Sequence, residues 1–360
     1  MSSITENLMK NQSKKSNAKS FFNKEIPNKL YHYTNGTAFL SIVKNKQMWA
    51  SHIRFMNDLK EEILAIELLS KYIEKNSNLT TYNIPAVIDN AKKFFTAENT
   101  EKEVFILSFS ECKDDLNQWR GYANVPPSYS IGFDVTKMTT EEEIETDASE
   151  IKEFINTPWA SDERKEKLFI APCFYDSVEH ESLIDEIIND SIKHLKSADI
   201  DNVKKEVALG KEIAKRLIFY SPLIKHEMSA KEKEWRIIIV YEKSVKSASI
   251  DKKALEEKYN NTNDPYEKAE IGNELDDYEF NEGRLKEDEK LLDFRMGKSF
   301  IVPFFKFSLK EEFFREFFIG ACPDKESVME STLYFLSKNG FSFETAKKMT
   351  KYTSNPYRNW

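Results

Sequence analysis

Cysteine is scarce in this chain of 360 residues: Cys112, Cys173 and Cys322 are an odd number with no close pair. That excludes a disulfide framework and a C-x-x-C zinc site, and it leaves the thiols as buried spectators. Glycine (9) and proline (11) are few as well, so a collagen-like or Gly/Pro-rich low-complexity chain is excluded. No stretch approaches the roughly 18 consecutive apolar residues of a membrane span, and residues 1–28 lack the apolar centre of a secretory signal. The expectation is a soluble, cytoplasmic protein with no membrane partner.

Two nucleotide-binding signatures are also missing. Neither G-x-G-x-x-G after a strand nor G-x-x-x-x-G-K-[ST] occurs, which disfavours a doubly wound fold. His32, His52, His180, His194 and His226 include no H-E-x-x-H or other close ligand pair, so no metal is expected. Serine hydrolysis lacks its G-x-S-x-G elbow.

What is present is aromatic and charged. With 26 Phe and 15 Tyr and a hydrophobic fraction of 40%, the chain can build a large core, and 32% charged residues give it a wet surface. The net charge of −8 is local: residues 242–293 hold 16 acidic and 9 basic side chains, so −7 of it lies there. The remainder is near neutral and leaves a phosphate-bearing ligand open.

Strand patterns are dispersed through the length, at residues 30–33, 48–53, 104–110 (VFILSFS), 129–135 (YSIGFDV), 170–175, 235–241 (WRIIIVY), 299–305 and 317–319. Helical spacing joins Ala38, Phe39, Ile42 and Val43 after an N-cap at Thr34 or Asn35, and Ile66, Leu69 and Ile73 after an acidic cap at Asp58. Ile184, Ile188, Ile192 and Leu195 form another stripe, and Pro323 opens a helix with Met329, Leu333 and Leu336 that stops at Asn339-Gly340. The pattern predicts one α+β domain at 28–345, between a tail at 1–27 and a C-terminal tail at 346–360. It carries a helical insertion at 141–216 and an acidic, charged insertion at 242–293, expected as a solvated helical hairpin, with a partner-docking arm as the alternative.

Two constellations carry chemistry. In Tyr31-His32-Tyr33-Thr34, alternation puts His32 and Thr34 on one face of a strand and the tyrosines on the other. His32 then reads either as a core histidine satisfied by backbone or as a ligand-holding group. In Glu232-Lys233-Glu234-Trp235-Arg236, two carboxylates and a guanidinium share a face at the start of a buried strand, either as a surface ion pair or as a reactive cluster. Between them, Trp119-Arg120-Gly121-Tyr122 offers aromatics beside an arginine, suited to stacking on a base or packed as a surface loop. A metal-dependent nuclease built on Glu232, Glu234 and Asp58 or Asp134 is a further reading of the same acids.

Together L-Y-H-Y-T (30–34), M-W-A-S-H-I-R-F-M-N-D (48–58), F-S-E (109–111), Q-W-R-G-Y (118–122), Y-S-I-G-F-D (129–134), E-K-E-W-R (232–236) and F-I-G-A-C-P (318–323) resemble the bacterial family called Domain of Unknown Function 2971. A looser resemblance, carried by the His-Tyr-Thr strand, the following helix, the M-W-A-S strand and the late E-x-E strand, is to the ADP-ribosyltransferase fold of nucleic-acid-targeting bacterial toxins.

That second resemblance implies an ADP-ribosyltransferase-like mixed β core with helical insertions, and NAD as substrate without a metal. It implies a toxin or phage-defence effector whose partners are a nucleic-acid or protein acceptor and an antitoxin or inhibitor protein. His32, with Tyr33 and Thr34, would hold NAD; Glu234 would stabilise the positive charge left on ribose as nicotinamide departs, and Glu232 would polarise the acceptor. Arg236 or Arg120 would bind pyrophosphate. The nicotinamide-stacking aromatic is open among Trp119, Tyr122 and Tyr129, and Ser108-Phe109-Ser110 resembles the Ser-Thr-Ser element of the arginine-Ser-Glu branch. The alternative is a catalytically inactive nucleotide- or partner-binding module of the same fold.

Overall fold

The structure, a computed structural model, describes residues 24–56, 60–75, 82–96, 102–123, 126–138, 166–196, 202–242, 252–262, 268, 271–272, 275, 291–297 and 299–355. The acidic cap at Asp58, residues 141–165 of the helical insertion and most of the acidic insertion lie outside these residues.

Strand β1 (Leu30–Asn35) runs into helix α1 (Gly36–Asn45) through Asn35, whose side chain accepts from the Ala38 N–H at 2.9 Å. The cap satisfies one of the free N–H groups of the first turn. Phe39, Ile42 and Val43 are the buried face of α1, as their spacing predicts. The helix ends at Lys46 in the left-handed region, φ +48°, and β2 (Gln47–His52) follows. Helices α2 (Lys60–Lys75) and α3 (Ile84–Thr96) precede β3 (Lys102–Ser110), and the seven-residue α4 (Leu116–Tyr122) separates β3 from β4 (Ser128–Phe133).

Then come β5 (Glu166–Pro172), α5 (Ser177–Lys196), α6 (Asn202–Tyr220) and β6 (Glu234–Glu242). Of the acidic insertion, Lys252–Asn261 is helix α7. Strands β7 (Leu292–Met296), β8 (Ile301–Ser308) and β9 (Phe314–Ile319), helices α8 (Lys325–Ser337) and α9 (Phe343–Met349), and β10 (Thr350–Tyr352) complete the order.

Among the described residues ten strands join one mixed sheet, β10-β9-β4-β1-β3-β2-β8-β7, with β6 on the other edge of β3 and β5 beyond it. Its pairings are antiparallel except β10 on β9. The architecture is therefore mixed α/β, with helices in the long connections. The folded part continues past residue 345: Thr350, Lys351 and Tyr352 pair with Phe317, Phe318 and Ile319.

β3 has an unusual position in the sheet. One edge pairs with β6 from Lys102↔Glu242 to Ser110↔Glu234. The other edge is shared: Ser110 pairs with Tyr31 of β1, whereas Phe105 and Ile106 pair with His52 and Ser51 of β2. Across Leu107–Phe109 the two partners have parted, and the sheet is split there.

Two apolar cores fix this arrangement. Phe105, Leu107, Phe109, Trp235, Ile237 and Ile239 face one side, packed with α1, α8 and the β4, β8 and β9 aromatics. Val104, Ile106, Ile238 and Val240 face the other, under α2, α3, α5 and α6, where Ile184 and Ile188 are buried as their stripe predicts. Each large side chain buried in this way contributes about 1.5–3 kcal/mol. Gly210 allows α6 to lie against α3, since a Cβ there would stand 2.6 Å from Asn90 Cβ.

Candidate active site

Because β1 and β2 diverge on one edge of β3, the Ser108 carbonyl lacks a strand partner on that edge. His32 supplies one: its Nδ1 lies 3.0 Å from Ser108 O. A carbonyl only accepts, so Nδ1 carries the proton and Nε2 is the acceptor of the neutral ring. Burial holds the His32 pKa below the ordinary 6.5 despite that hydrogen bond. The histidine is thus satisfied by backbone and also lines a cavity.

That cavity, of about 60 Å³, opens at the split. Tyr31, His32 and Tyr33 of β1 and Ser108, Phe109 and Ser110 of β3 form one part of its wall. Gln118 and Tyr122 of α4, Glu232 in the turn before β6 and Glu234 at the start of β6 form the other. Tyr33 is fixed there by donating to Cys112 O at 2.7 Å and accepting from the Asp115 N–H at 2.9 Å.

Glu234 is 6% exposed, and both of its oxygens are engaged. Arg236 Nε donates to Oε1 at 2.7 Å, Lys225 Nζ lies 2.5 Å from Oε2, and Arg236 Nη2 reaches Oε2 at 3.3 Å. Burial alone would raise this carboxyl's pKa; the Arg236 and Lys225 charges outweigh it and hold the pKa at about 2. Lys225 also donates to Glu232 Oε2 at 2.7 Å, so one ammonium joins the two carboxylates of E-x-E. Burial disfavours that ammonium, but Glu234 keeps its pKa above the ordinary value, so Lys225 is a fixed cation and not a nucleophile.

The backbone is tied down as firmly. Glu234 N–H donates to the Tyr175 hydroxyl at 2.8 Å and its carbonyl accepts from the Cys173 N–H at 2.9 Å. The Ser110 hydroxyl donates to Glu232 O at 2.7 Å, and Lys233 between the two glutamates takes φ +44°. That left-handed turn puts Glu232 and Glu234 at the same cavity while Trp235 Nε1 donates to Glu111 at 2.8 Å on the far side.

Six residues singled out from sequence therefore meet at the cavity: His32, Tyr33, Ser108, Tyr122, Glu232 and Glu234. Five do not line it. Thr34 is buried opposite Tyr129 in the β1–β4 pairing, and Tyr129 stacks on Phe39 at 3.8 Å in the core. Trp119 is fully buried edge-on against Tyr33 at 4.9 Å, and Arg120 stands exposed on α4. Arg236 is 2% exposed and spends its guanidinium on Glu234 and the Pro222 carbonyl, so it positions the glutamate and has no face for a pyrophosphate. Of the three aromatics, Tyr122, 55% exposed, is the one with a ring at the cavity.

Of the acids of a nuclease reading, Glu232 and Glu234 share the cavity and Asp134 does not join them. Asp134 is held by Arg315 and Thr136 away from the cavity lining, and Asp58 lies outside the described residues.

A family model described as Protein of unknown function (DUF2971) matches residues 118–237. Over that span the chain is similar to the family. The span begins at Gln118 on α4 and ends within β6, so it takes in Tyr122, Lys225, Glu232, Glu234 and Arg236 and leaves out β1 with His32. No curated protein and no solved structure matches the chain. Among the described residues, no helix is long and apolar enough to cross a membrane.

Proposed function

We propose that the chain is an NAD-dependent ADP-ribosyltransferase, a toxin or phage-defence effector that moves ADP-ribose to a nucleic-acid or protein acceptor. The observation that carries this reading is the meeting of His32, from the first strand, with Glu234, from the sixth, at one cavity where the sheet splits.

In such a reaction the ribose–nicotinamide C–N bond breaks and nicotinamide leaves with the electron pair. A bond then forms from that ribose carbon to the acceptor, whose proton passes to a base. Positive charge develops on the ribose ring, and an ionised carboxylate already fixed beside it stabilises the transition state without reorganisation. Glu234, held ionised by Arg236 and Lys225, fits that requirement. Glu232, partly exposed at the same wall, takes the acceptor proton. The Nε2 acceptor of neutral His32 suits a ribose hydroxyl, and the Tyr122 ring suits the flat face of nicotinamide.

One observation favours a second reading, a silent binding module of the same cleft: both Glu234 oxygens already accept hydrogen bonds from cations. The experiment that separates the two incubates the protein with NAD labelled in its adenylate phosphate and a cell extract, then divides protein from nucleic acid. Label in one fraction that is lost with Glu234→Ala, the variant remaining folded, supports the transferase and names the acceptor class. A folded protein that transfers no label overturns it in favour of the binding module.

A further inference from the structure

Asp114 lies in the turn between β3 and α4, yet its carboxylate collects the other end of the chain. Oδ1 accepts from Trp119 Nε1 at 2.8 Å, from the Thr353 hydroxyl at 2.5 Å and from Asn355 Nδ2 at 2.9 Å. Oδ2 accepts from the Ser354 N–H at 2.7 Å and its hydroxyl at 2.6 Å, while Asn355 Nδ2 also reaches the Asp114 carbonyl at 3.0 Å. The segment is anchored to the sheet just after β10 by the Thr353 N–H, 2.8 Å from Ile319 O.

The helix that this cluster grips needs such ties. α4 has seven residues, and an isolated helix of two turns is unstable in water. Its own cap is Asp115, which accepts from the Asn117 and Gln118 N–H groups. Beyond that, Trp119 is its buried anchor, and the Trp119 indole N–H ends on the same Asp114 oxygen as Thr353. One helical turn apart, Gln118 and Tyr122 face the cavity.

We propose that residues 353–355 are a strap that latches α4 through Asp114, so that the C-terminal segment sets Gln118 and Tyr122 at the cavity and its release opens that wall. The latch stands on these hydrogen bonds alone; its effect on substrate rests on the reading of the cavity given above. Although burial raises the Asp114 carboxyl, its bonds to Ser354, Thr353 and Trp119 hold it at about 2, so ordinary pH does not open the latch. Release requires a competitor for the strap.

Hydrogen exchange on the full chain tests this, with Asp114→Ala removing the acceptor and Ser354→Glu placing a second carboxylate against it from an exposed position. Both variants are expected to speed amide exchange over residues 116–123 by at least about tenfold while β3 and β6 exchange as before. If Asp114→Ala unfolds the chain, Ser354→Glu decides. Exchange at 116–123 within about twofold of the parent in Ser354→Glu, or faster exchange everywhere alike, overturns the proposal. Nicotinamide release from NAD in the presence of cell extract is read in parallel: none from the parent protein counts against the transferase, while the exchange result still decides the latch.

Discussion

Lys225 Nζ stands 2.5 Å from Glu234 Oε2, inside the protein, and the same ammonium reaches Glu232 Oε2 at 2.7 Å. Lys225 is 4% exposed, so neither charge is screened by water, and each stays buried only because the other does. With Arg236 completing the set, two carboxylates and two cations balance beneath the cavity.

Removing the shared cation is therefore costly. Lys225→Met leaves Glu234 with one partner and is expected to lower stability by about 3 kcal/mol, seen as a lower urea midpoint. Adding Glu234→Gln to it should recover more than half of the loss. Equal losses in the single and double variants would show that the pair is not coupled.

His32 acts as a neutral ring. Its pKa lies below 6.5, so NAD turnover should stay flat from about pH 8 to about 6.5, with any loss from His32 protonation confined to lower pH. His32→Ala should raise KM for NAD about tenfold, the equivalent of one lost hydrogen bond of about 1.4 kcal/mol. A profile that falls between pH 8 and 7 would contradict the neutral assignment.

In the proposed reaction Tyr122 would contribute a ring and not a proton. Tyr122→Phe should leave KM for NAD near the parent value, while Tyr122→Ala raises it about tenfold or more, within the range of stacking on a base. Loss of function in Tyr122→Phe would point to the hydroxyl instead.

Much of this was legible in sequence, and the rest was not for physical reasons. Asn35 with Phe39, Ile42 and Val43 is a local signal, and local chemistry decided the outcome. VFILSFS and WRIIIVY are continuous apolar runs because β3 and β6 are covered on both faces. The E-x-E acids were visible from their spacing. Lys225 was not: it sits in no periodic pattern, and its partners come from the turn and strand that follow it. Tyr129 and Trp119 look like ligand aromatics in sequence because exposure cannot be read from residue type; Phe39 and Tyr33 claim them for packing. β10 has three residues and pairs in parallel with a strand far behind it, so nothing local marks 350–352 as part of the sheet. Asp114 and Thr353, 239 residues apart, meet only in three dimensions.

Acid should weaken the fold steeply. Glu316 is buried, which alone would raise its pKa, yet hydrogen bonds from Tyr31, Lys351 and Lys29 hold it at about 2 against an ordinary 4.5. A depressed carboxyl gives its full stabilisation above its unfolded pKa and loses it as pH falls toward the folded one. Glu234 behaves likewise, so stability should decline from about pH 4.5 down to about 2. Glu316→Gln should be less stable at neutral pH and show a shallower decline in that window, measured as urea midpoints. An unchanged slope would contradict the assignment.

The most direct test of the central claim is nicotinamide release from NAD, in the presence of the cell extract that supplies the acceptor, by the parent protein and by Glu234→Gln, which keeps the shape of the side chain and removes its charge. Release by the parent is expected, with a fall of at least about 100-fold in the variant, the scale of one lost transition-state interaction of about 2.7 kcal/mol. Equal release by both, or none from a folded parent protein, would contradict it.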